Sequence, residues 1–250
     1  MSIDDLSVGA HPDHAGVMVL TLNRPARRNA MSPDMVAGLI GALENAVVAG
    51  KSVVIIRGAG NGFCAGSDIA LLARMSRAER GHFEAESGRL ARCITAHPLP
   101  VIAQVHGFAI GGGLTLAAAC DVVVATPDSK WSLPEVPIGL FPAWGLHGVA
   151  VRTGMTTARR LAFGIDELNG QLAFEIGLVD EAAADPAMKV IEIAARLARL
   201  PREQIAAVKT YFAPGGEWKD ADARANRLFA AASDTAEAKI TFERFSRGTK

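Results

Sequence analysis

The amino-acid sequence predicts an α/β fold followed by a helical tail, and three observations support this. Short runs rich in β-branched residues are typical of buried strands, and segments of helical character separate them. This alternation indicates an α/β architecture. Beyond Asp180 the strand signals stop and the helical patterns continue. The predicted strands are VMVLTL at 17–22, VVIIR at 53–57, VIAQV at 101–105 and VVVA at 122–125.

Two helices have recognisable capping signals at their first residues. Ser32 is followed by a proline and an aspartate, which favours a helix start, and the predicted helix runs to about Ala49. Ser76 and Glu79 have the spacing of a capping box, in which each side chain accepts a hydrogen bond from the other residue's backbone N–H. The second predicted helix ends near Ala96.

The C-terminal part of the chain is predicted to form a separate helical layer. We therefore divide the chain into a core at 1–195, which carries the site, and a C-terminal helical region at 196–250. No fixed-period repeat or long linker marks this division. The helices predicted after Asp180 are 186–200, 201–212, 220–232 and 236–245.

The overall composition argues against several classes of partner. Lysine plus arginine and aspartate plus glutamate both number 26, so no net charge attracts the chain to nucleic acid or to a membrane surface. The most apolar run, at 108–120, is shorter than the ~20 residues of a membrane helix. The polar N-terminus does not match a signal peptide. Three scattered cysteines without CxxC spacing indicate neither disulfides nor zinc. We expect a cytoplasmic protein with a small-molecule substrate and no metal.

Glycines mark two predicted junctions between a strand and a helix, at 53–72 and 101–121. Gly58 and Gly60 begin a dinucleotide-binding pattern, but Phe63 occupies the place of its third glycine. A nicotinamide dehydrogenase is therefore a disfavoured alternative. The second stretch lacks the Gly-Lys-Ser/Thr ending of a phosphate loop. Free backbone amides at such junctions can instead form an oxyanion hole, although Gly111–Gly113 could equally serve close helix packing.

Four segments, in this order, resemble the enoyl-CoA hydratase/isomerase, or crotonase, family over roughly 17–179. The resemblance implies a crotonase-like spiral of β-β-α units with a C-terminal helical trimerisation region. It also implies assembly as a homotrimer or homohexamer and an acyl-CoA thioester substrate, whose CoA is part of the substrate and not a separate cofactor. The four segments are LNRPARRNAM at 22–31, GFCAGSDI at 62–69, VHGFAIGGGLTLAAACD at 105–121 and WSLPEVPIGLFPAWG at 131–145.

The same resemblance implies roles for particular residues. Two backbone amides of the family hold the thioester oxygen, and the matching residues here are Ser67 and Gly112. Glu135 matches a catalytic glutamate. Arginine suits phosphate because its planar guanidinium can bind two oxygens at once. The other positions that the resemblance places against the acyl-CoA are Arg27 and Arg28 at the phosphates, Ala65, Asp68 and Ile69 at the adenine end, and Thr115, Leu140 and Trp144 around the acyl part.

One departure from the family pattern bears on the reaction. The two-glutamate hydratases carry their other glutamate where this chain has Thr115. Losing one positioned acid or base typically costs about 10²- to 10⁴-fold in rate, so efficient hydration is not expected. Moving a double bond from the 3 to the 2 position needs only one carboxylate. We expect an enoyl-CoA isomerase that uses Glu135. The alternatives are an enoyl-CoA hydratase acting with one glutamate and a catalytically impaired acyl-CoA-binding protein.

The surroundings of Glu135 should tune its acidity. Leu133, Leu140, Phe141 and Trp144 would form an apolar setting that raises the pKa of the Glu135 carboxyl. Ordinary structural roles are expected for several other tempting residues. These are His97 and His106 in turns, Cys64 and Cys120 in apolar packing, and Asp121 at a helix end.

Overall fold

The structure is a computed structural model that describes residues 2–3, 5–213 and 215–247. A few residues of the two predicted regions lie outside the described residues. They are Met1, Asp4, Pro214 and 248–250. Within the described part, seven strands form one sheet in the order β1-β2-β3-β4-β5-β7-β10. Its strands are β1 Ser2–Ile3, β2 Leu6–His11, β3 His14–Leu22, β4 Val53–Gly58, β5 Val101–Val105, β7 Val122–Ala125 and β10 Glu181–Ala182.

The predicted α/β class is confirmed, and so are the four predicted strands. In this sheet, neighbours along the order β3-β4-β5-β7-β10 pair in parallel, whereas neighbours along β1-β2-β3 pair antiparallel. Two-residue β10 was not predicted, because its pairing with β7 and not its own sequence makes it a strand. A second sheet of described residues has the order β6-β8-β9. Its strands are β6 Phe108–Ile110, β8 Lys130–Ser132 and β9 Leu168–Asn169.

The predicted helix starts carry the expected caps. The Ser32 hydroxyl accepts a hydrogen bond from Met35 N at 3.1 Å, and Ser76 and Glu79 form both bonds of the capping box. The three central helices after β8 were not predicted. The helices are α1 Pro33–Val48, α2 Ile69–Leu72, α3 Arg77–Thr95, α4 Gly112–Ala118, α5 Leu146–Thr153, α6 Met155–Ala162, α7 Gly170–Glu175, α8 Pro186–Leu197, α9 Arg202–Phe212, α10 Gly216–Ala232 and α11 Ala236–Ser246.

The parallel part of the main sheet lies between two helical layers. Alternate side chains of β3 point to opposite faces, as the pleat requires, so Val17 and Val19 pack on one side and Leu20 on the other. The first side is covered by α8 through Val190 and Ala194. The other side is covered by α1, α3 and α4. The division predicted at residue 195 falls inside α8, which packs on the sheet of the core.

The C-terminal helices α10 and α11 pack on the side of the core that holds Gly111–Gly113. Helix α10 packs against α3, where Arg92 and Asp222 form an ion pair. Helix α11 packs against α2, and its Thr241 hydroxyl donates to the Ile138 carbonyl at 2.7 Å. In the described parts of the chain, no helix combines the length and the apolar character needed to cross a bilayer.

A buried lysine fastens the first tail helix to the core. Lys209 of α9 is 8% exposed, and its Nζ donates to the carbonyls of Ile94 and Leu99 at 3.2 and 3.1 Å. It also forms an ion pair with Asp121, whose Oδ2 accepts from Val101 N at 2.7 Å. The structural role expected for Asp121 is therefore found.

We predict that Lys209→Met lowers the free energy of unfolding by about 2 kcal/mol, because it removes the buried donor to the Ile94 and Leu99 carbonyls and the ion-pair partner of Asp121. Urea unfolding measures the change, with the exposed Lys219→Met as the matched control. Adding Asp121→Asn should restore part of the loss. A single variant as stable as the parent would contradict this role.

Candidate active site

A cavity of about 60 Å³ lies between α3, the start of α4 and the loops at 65–69 and 134–144. Its lining includes eight of the residues that the sequence singled out, from three separate parts of the chain. The structure therefore brings them together, although this placement by itself does not test their roles. The eight are Ala65, Ser67, Ile69, Gly112, Thr115, Glu135, Leu140 and Trp144.

The two amides proposed for the thioester oxygen are both unused by the backbone. An isolated bridge joins Met31 N to Gly66 O at 2.8 Å and Asp68 N to Met31 O at 3.0 Å, so the Ser67 N–H stays outside it. Gly112 is the first residue of α4 and has no acceptor in that helix. Among the described residues, neither N–H donates to a backbone oxygen. A Cβ on Gly66 would lie 3.0 Å from Gly112 N, so the two segments are in close contact.

The three consecutive glycines serve different purposes. A Cβ on Gly113 would lie 2.2 Å from the Cys64 carbonyl oxygen, so this glycine permits close packing of the two segments. A Cβ on Gly111, which has a φ of +56°, would lie 2.8 Å from Glu135 Oε1. A Cβ on Gly112 would lie 3.2 Å from the Trp144 ring. The close-packing alternative left open for the triple glycine is thus realised at Gly113, and the oxyanion hole stays a prediction.

Glu135 stands immediately before a short 3₁₀ turn, Val136–Ile138, with its carboxyl group above Gly111. Its Oε2 is inaccessible to solvent and forms no hydrogen bond among the described residues. Burial raises the pKa of the Glu135 carboxyl to about 7, in the direction expected from its apolar neighbours. This carboxyl group can therefore both accept and release a proton near neutral pH.

A second buried carboxyl group, Glu84 of α3, also lines the cavity. Only 3% of the residue is exposed, and its Oε2 accepts from Trp144 Nε1 at 3.0 Å. The Ser67 hydroxyl lies near the same carboxyl group. Burial raises the pKa of Glu84 to about 7, and the negative charge of Glu135 acts in the same direction. The sequence analysis missed this residue.

A sequence signal for Glu84 does exist in the helical periodicity of α3. Phe83 directly precedes Glu84, and Ser87 and Ala91 follow Glu84 three and seven positions later. All four residues therefore share one helix face. Each of these residues is buried. A glutamate on the apolar face of an amphipathic helix is uncommon and is retained only where it has partners.

Arg27, Arg28 and Asp68 do not line the cavity. The Arg28 guanidinium lies over the Phe108 ring, 4.5 Å from its centroid. The Asp68 carboxylate is paired with Arg24 at 3.0 Å and caps α2 by accepting from Leu71 N. Arg27 and Asp68 line a separate surface depression beside the end of α11. Contacts of these three residues with CoA remain predictions.

Thr115 is buried, and its hydroxyl donates to the Gly112 carbonyl at 3.2 Å. The hydroxyl is thus committed to its own helix, and a threonine cannot exchange a proton near neutral pH as a carboxyl group can. The structure offers no sign that Thr115 replaces the family's other glutamate.

The remaining candidates have structural partners. His106 Nε2 bonds to the Gly60 carbonyl at 2.8 Å, and His97 bonds to backbone groups on both sides of its ring. Burial raises the pKa of Cys64 and Cys120 to about 12, so neither is a reactive thiolate. In the described ranges, no three His, Cys, Asp or Glu residues are grouped so as to hold a metal ion.

The first glycine stretch is not shaped as a phosphate loop. A Cβ on Gly58 would lie 2.1 Å from the Gly62 carbonyl oxygen, so this backbone packs closely on itself. The helix that follows, α2, has only four residues. These features weaken the nicotinamide alternative further.

Comparison with known proteins gives a consistent result. A family model described as "Enoyl-CoA hydratase/isomerase" matches residues 13–246. The chain is 36% identical over 170 residues to a crotonyl-CoA hydratase from Syntrophomonas wolfei, covering 65% of this chain and 64% of that one. It is 37% identical over 185 residues to a "Probable enoyl-CoA hydratase" from Bacillus subtilis, covering 73% and 71%. The chain thus spans less than two thirds of the first relative.

A solved structure extends the similarity to nearly the whole chain. An enoyl-CoA hydratase from Mycobacterium avium subsp. paratuberculosis K-10 superposes with a TM-score of 0.85 at 29% identity, covering 97% of this chain and 99% of that one. This agreement confirms the crotonase-like fold expected from the sequence.

We predict that the chain loses stability as the pH rises from about 4.5 to 7. Burial raises the folded-state pKa of Glu135 from the ordinary value of 4.5 to about 7, so its contribution is complete below that window and lost above it. Glu135→Gln should remove a pH-dependent loss of about 3 kcal/mol, while the similar effect of Glu84 remains. The variant should therefore be more stable than the parent at pH 8.

Urea unfolding at pH 5 and pH 8 measures this difference. The exposed Glu203→Gln is the matched control and should keep the pH dependence of the parent. Equal losses of stability in the parent and in Glu135→Gln would show that Glu135 has an ordinary pKa.

Proposed function

Because the chain belongs to the enoyl-CoA hydratase/isomerase family, we propose that it moves the double bond of a 3-enoyl-CoA from the 3 to the 2 position. The observation that carries this proposal is the Glu135 carboxyl group, which has no hydrogen-bond partner at Oε2 among the described residues and faces the cavity of the two free amides. The proposed reaction neither oxidises nor reduces the substrate, so it calls for no redox cofactor.

The proposed mechanism begins with the thioester oxygen between the N–H groups of Ser67 and Gly112. When a proton leaves the carbon next to the thioester, negative charge develops on this oxygen. Two fixed donors stabilise that charge, and each is worth roughly 10²- to 10³-fold in rate. Neither amide gives up a backbone hydrogen bond in doing so.

Glu135 is the base that removes this proton. Its carboxylate takes a proton from C2, the electrons form a dienolate, and a proton then adds at C4 to give the 2-enoyl thioester. A pKa of about 7 suits this task, because a catalytic acid or base works best when its pKa lies near the working pH. The apolar cavity walls formed by Leu140 and Trp144 help to exclude water.

Hydration of a 2-enoyl-CoA is the second candidate function. The two curated relatives described above are named as hydratases. The presence of Glu84 also supplies a second carboxyl group that the sequence comparison at Thr115 did not reveal. The position of that group argues against hydration. It comes from α3, whereas the other glutamate of the two-glutamate hydratases matches Thr115 of α4. A catalytically impaired acyl-CoA-binding protein is the alternative without turnover.

Parallel assays of 3-enoyl-CoA and 2-enoyl-CoA esters test the proposal. We predict isomer from the first ester, and a loss of about 10²- to 10⁴-fold in kcat for Glu135→Gln with little change in CoA-ester affinity. Glu203→Gln, on the exposed side of α9, should retain full activity. Fast formation of 3-hydroxyacyl-CoA without isomer would favour the hydratase. Binding without any turnover would favour the impaired binder.

The expected homotrimer or homohexamer is also a proposal. Large apolar side chains on α8, α9 and α11 remain exposed in the single chain, and such surfaces are typical of protein contacts. Size-exclusion chromatography with light scattering should give three or six times the mass of one chain, and Tyr211→Lys should weaken the assembly. A monomeric parent protein would contradict the proposal. The exposed side chains are Met188, Val208, Tyr211, Phe212 and Ile240.

A further inference from the structure

We propose that Glu84 is a second catalytic residue of this site, which delivers the proton to C4 while Glu135 removes the proton from C2. The inference rests on the proposed isomerase function and changes its mechanism. In place of one carboxylate that carries a single proton between two carbons, a base and an acid act on opposite ends of the dienolate.

The position of Glu84 supports this assignment. Glu84 and Glu135 line the same cavity but come from separate elements, α3 and the loop before Val136. Glu84 accepts a hydrogen bond from Trp144 Nε1, and its carboxyl group lies near the Ser67 hydroxyl. Trp144 in turn contacts Gly112. The Glu84 carboxyl group is thereby held beside both residues whose amides are proposed to bind the thioester oxygen.

The surroundings of Glu84 favour its protonated form. The residue is 3% exposed, so burial raises its pKa, and the negative charge of Glu135 acts in the same direction. Burial without a cation disfavours the carboxylate. Two carboxyl groups with raised pKa values line one cavity, so near neutral pH one can act as an acid and the other as a base.

A purely structural role explains these features less well. Holding Trp144 and Ser67 requires only hydrogen-bonding groups, which a glutamine amide supplies without the desolvation penalty of a buried carboxyl group. A carboxyl group offers one property that the amide lacks, which is a transferable proton. The chain keeps that group against the cavity at a cost in stability above neutral pH.

The proposed step balances in protons and electrons. The Glu135 carboxylate takes H⁺ from C2, and the C–H electrons form the C1=C2 bond of the dienolate with its charge on the thioester oxygen. When the thioester C=O bond re-forms, the C1=C2 electron pair moves to form the C2=C3 bond. The C3=C4 electron pair then takes H⁺ at C4 from the Glu84 carboxyl group. Glu135 ends protonated and Glu84 ends ionised. Proton exchange through water restores the starting state, with no oxidant or reductant.

An isotope experiment separates the two mechanisms. With a 3-enoyl-CoA that carries deuterium at both C2 positions, a single shuttling base returns deuterium to C4. Two separate carboxyl groups instead place solvent hydrogen at C4 and release deuterium to water. Mass spectrometry or NMR of the 2-enoyl product measures the deuterium at C4. For the parent protein in H₂O we expect solvent hydrogen at C4, and deuterium retained there would overturn the proposal.

Variants at Glu84 supply a second readout. Glu84→Gln keeps partners for Trp144 and Ser67 but carries no transferable proton. We expect kcat to fall by about 10²-fold or more, with the remaining turnover now returning deuterium to C4 through Glu135. Glu86→Gln on the same helix is the matched control, since Glu86 is partly exposed and bonds to Arg89. It should behave as the parent does.

The outcomes distinguish this inference from the function on which it rests. If the parent isomerises but Glu84→Gln has unchanged kcat and labelling, Glu84 is not catalytic and the single-base mechanism through Glu135 stands. If the parent forms no isomer at all, the proposed function fails and this inference fails with it. Deuterium retained at C4 by the parent would overturn the inference even if Glu84→Gln does not fold.

Discussion

The close approach of two backbone segments is the constraint on which the site depends. Cys64 and Ala109 form an isolated bridge, and Gly113 lies so near the Cys64 carbonyl that a side chain would not fit. This contact places the amides of Ser67 and Gly112 on one cavity wall. Since both are backbone groups, their positions follow from packing of the main chain, and neither can rotate away as a side chain could. The proposed oxyanion hole would therefore need no reorganisation when charge develops.

The second feature of the site is a pair of carboxyl groups kept out of water. Glu84 and Glu135 are held on different elements, and each would be more stable ionised in solvent. Other parts of the fold offset this cost in stability, through a large apolar core and through contacts such as the ion pair of the buried Lys209 with Asp121. Sites that destabilise the protein locally in this way are where function is most often found.

The C-terminal helices contribute to the site as well as to the surface. Helix α10 carries Phe229 to the cavity wall, and its Asp222 accepts a hydrogen bond from Gly145 N at 3.3 Å. Helix α11 packs beside the short turn that follows Glu135, with Ala238 and Glu237 against Gly139. The region that the resemblance assigns to assembly therefore also closes the cavity of its own chain. A change in how these helices pack would alter the surroundings of the proposed catalytic residues directly.

Much of this molecule could be read from the sequence alone. Strand runs such as 53–57 and the cap at Ser32 were predictable because they depend on residues within a few positions, and the family motifs located Ser67, Gly112 and Glu135. Only the tertiary structure decided that Glu84 enters the same cavity. The periodicity of α3 indicates that Glu84 is buried, but which groups lie beside it depends on segments far apart in the chain, and no local pattern carries that information.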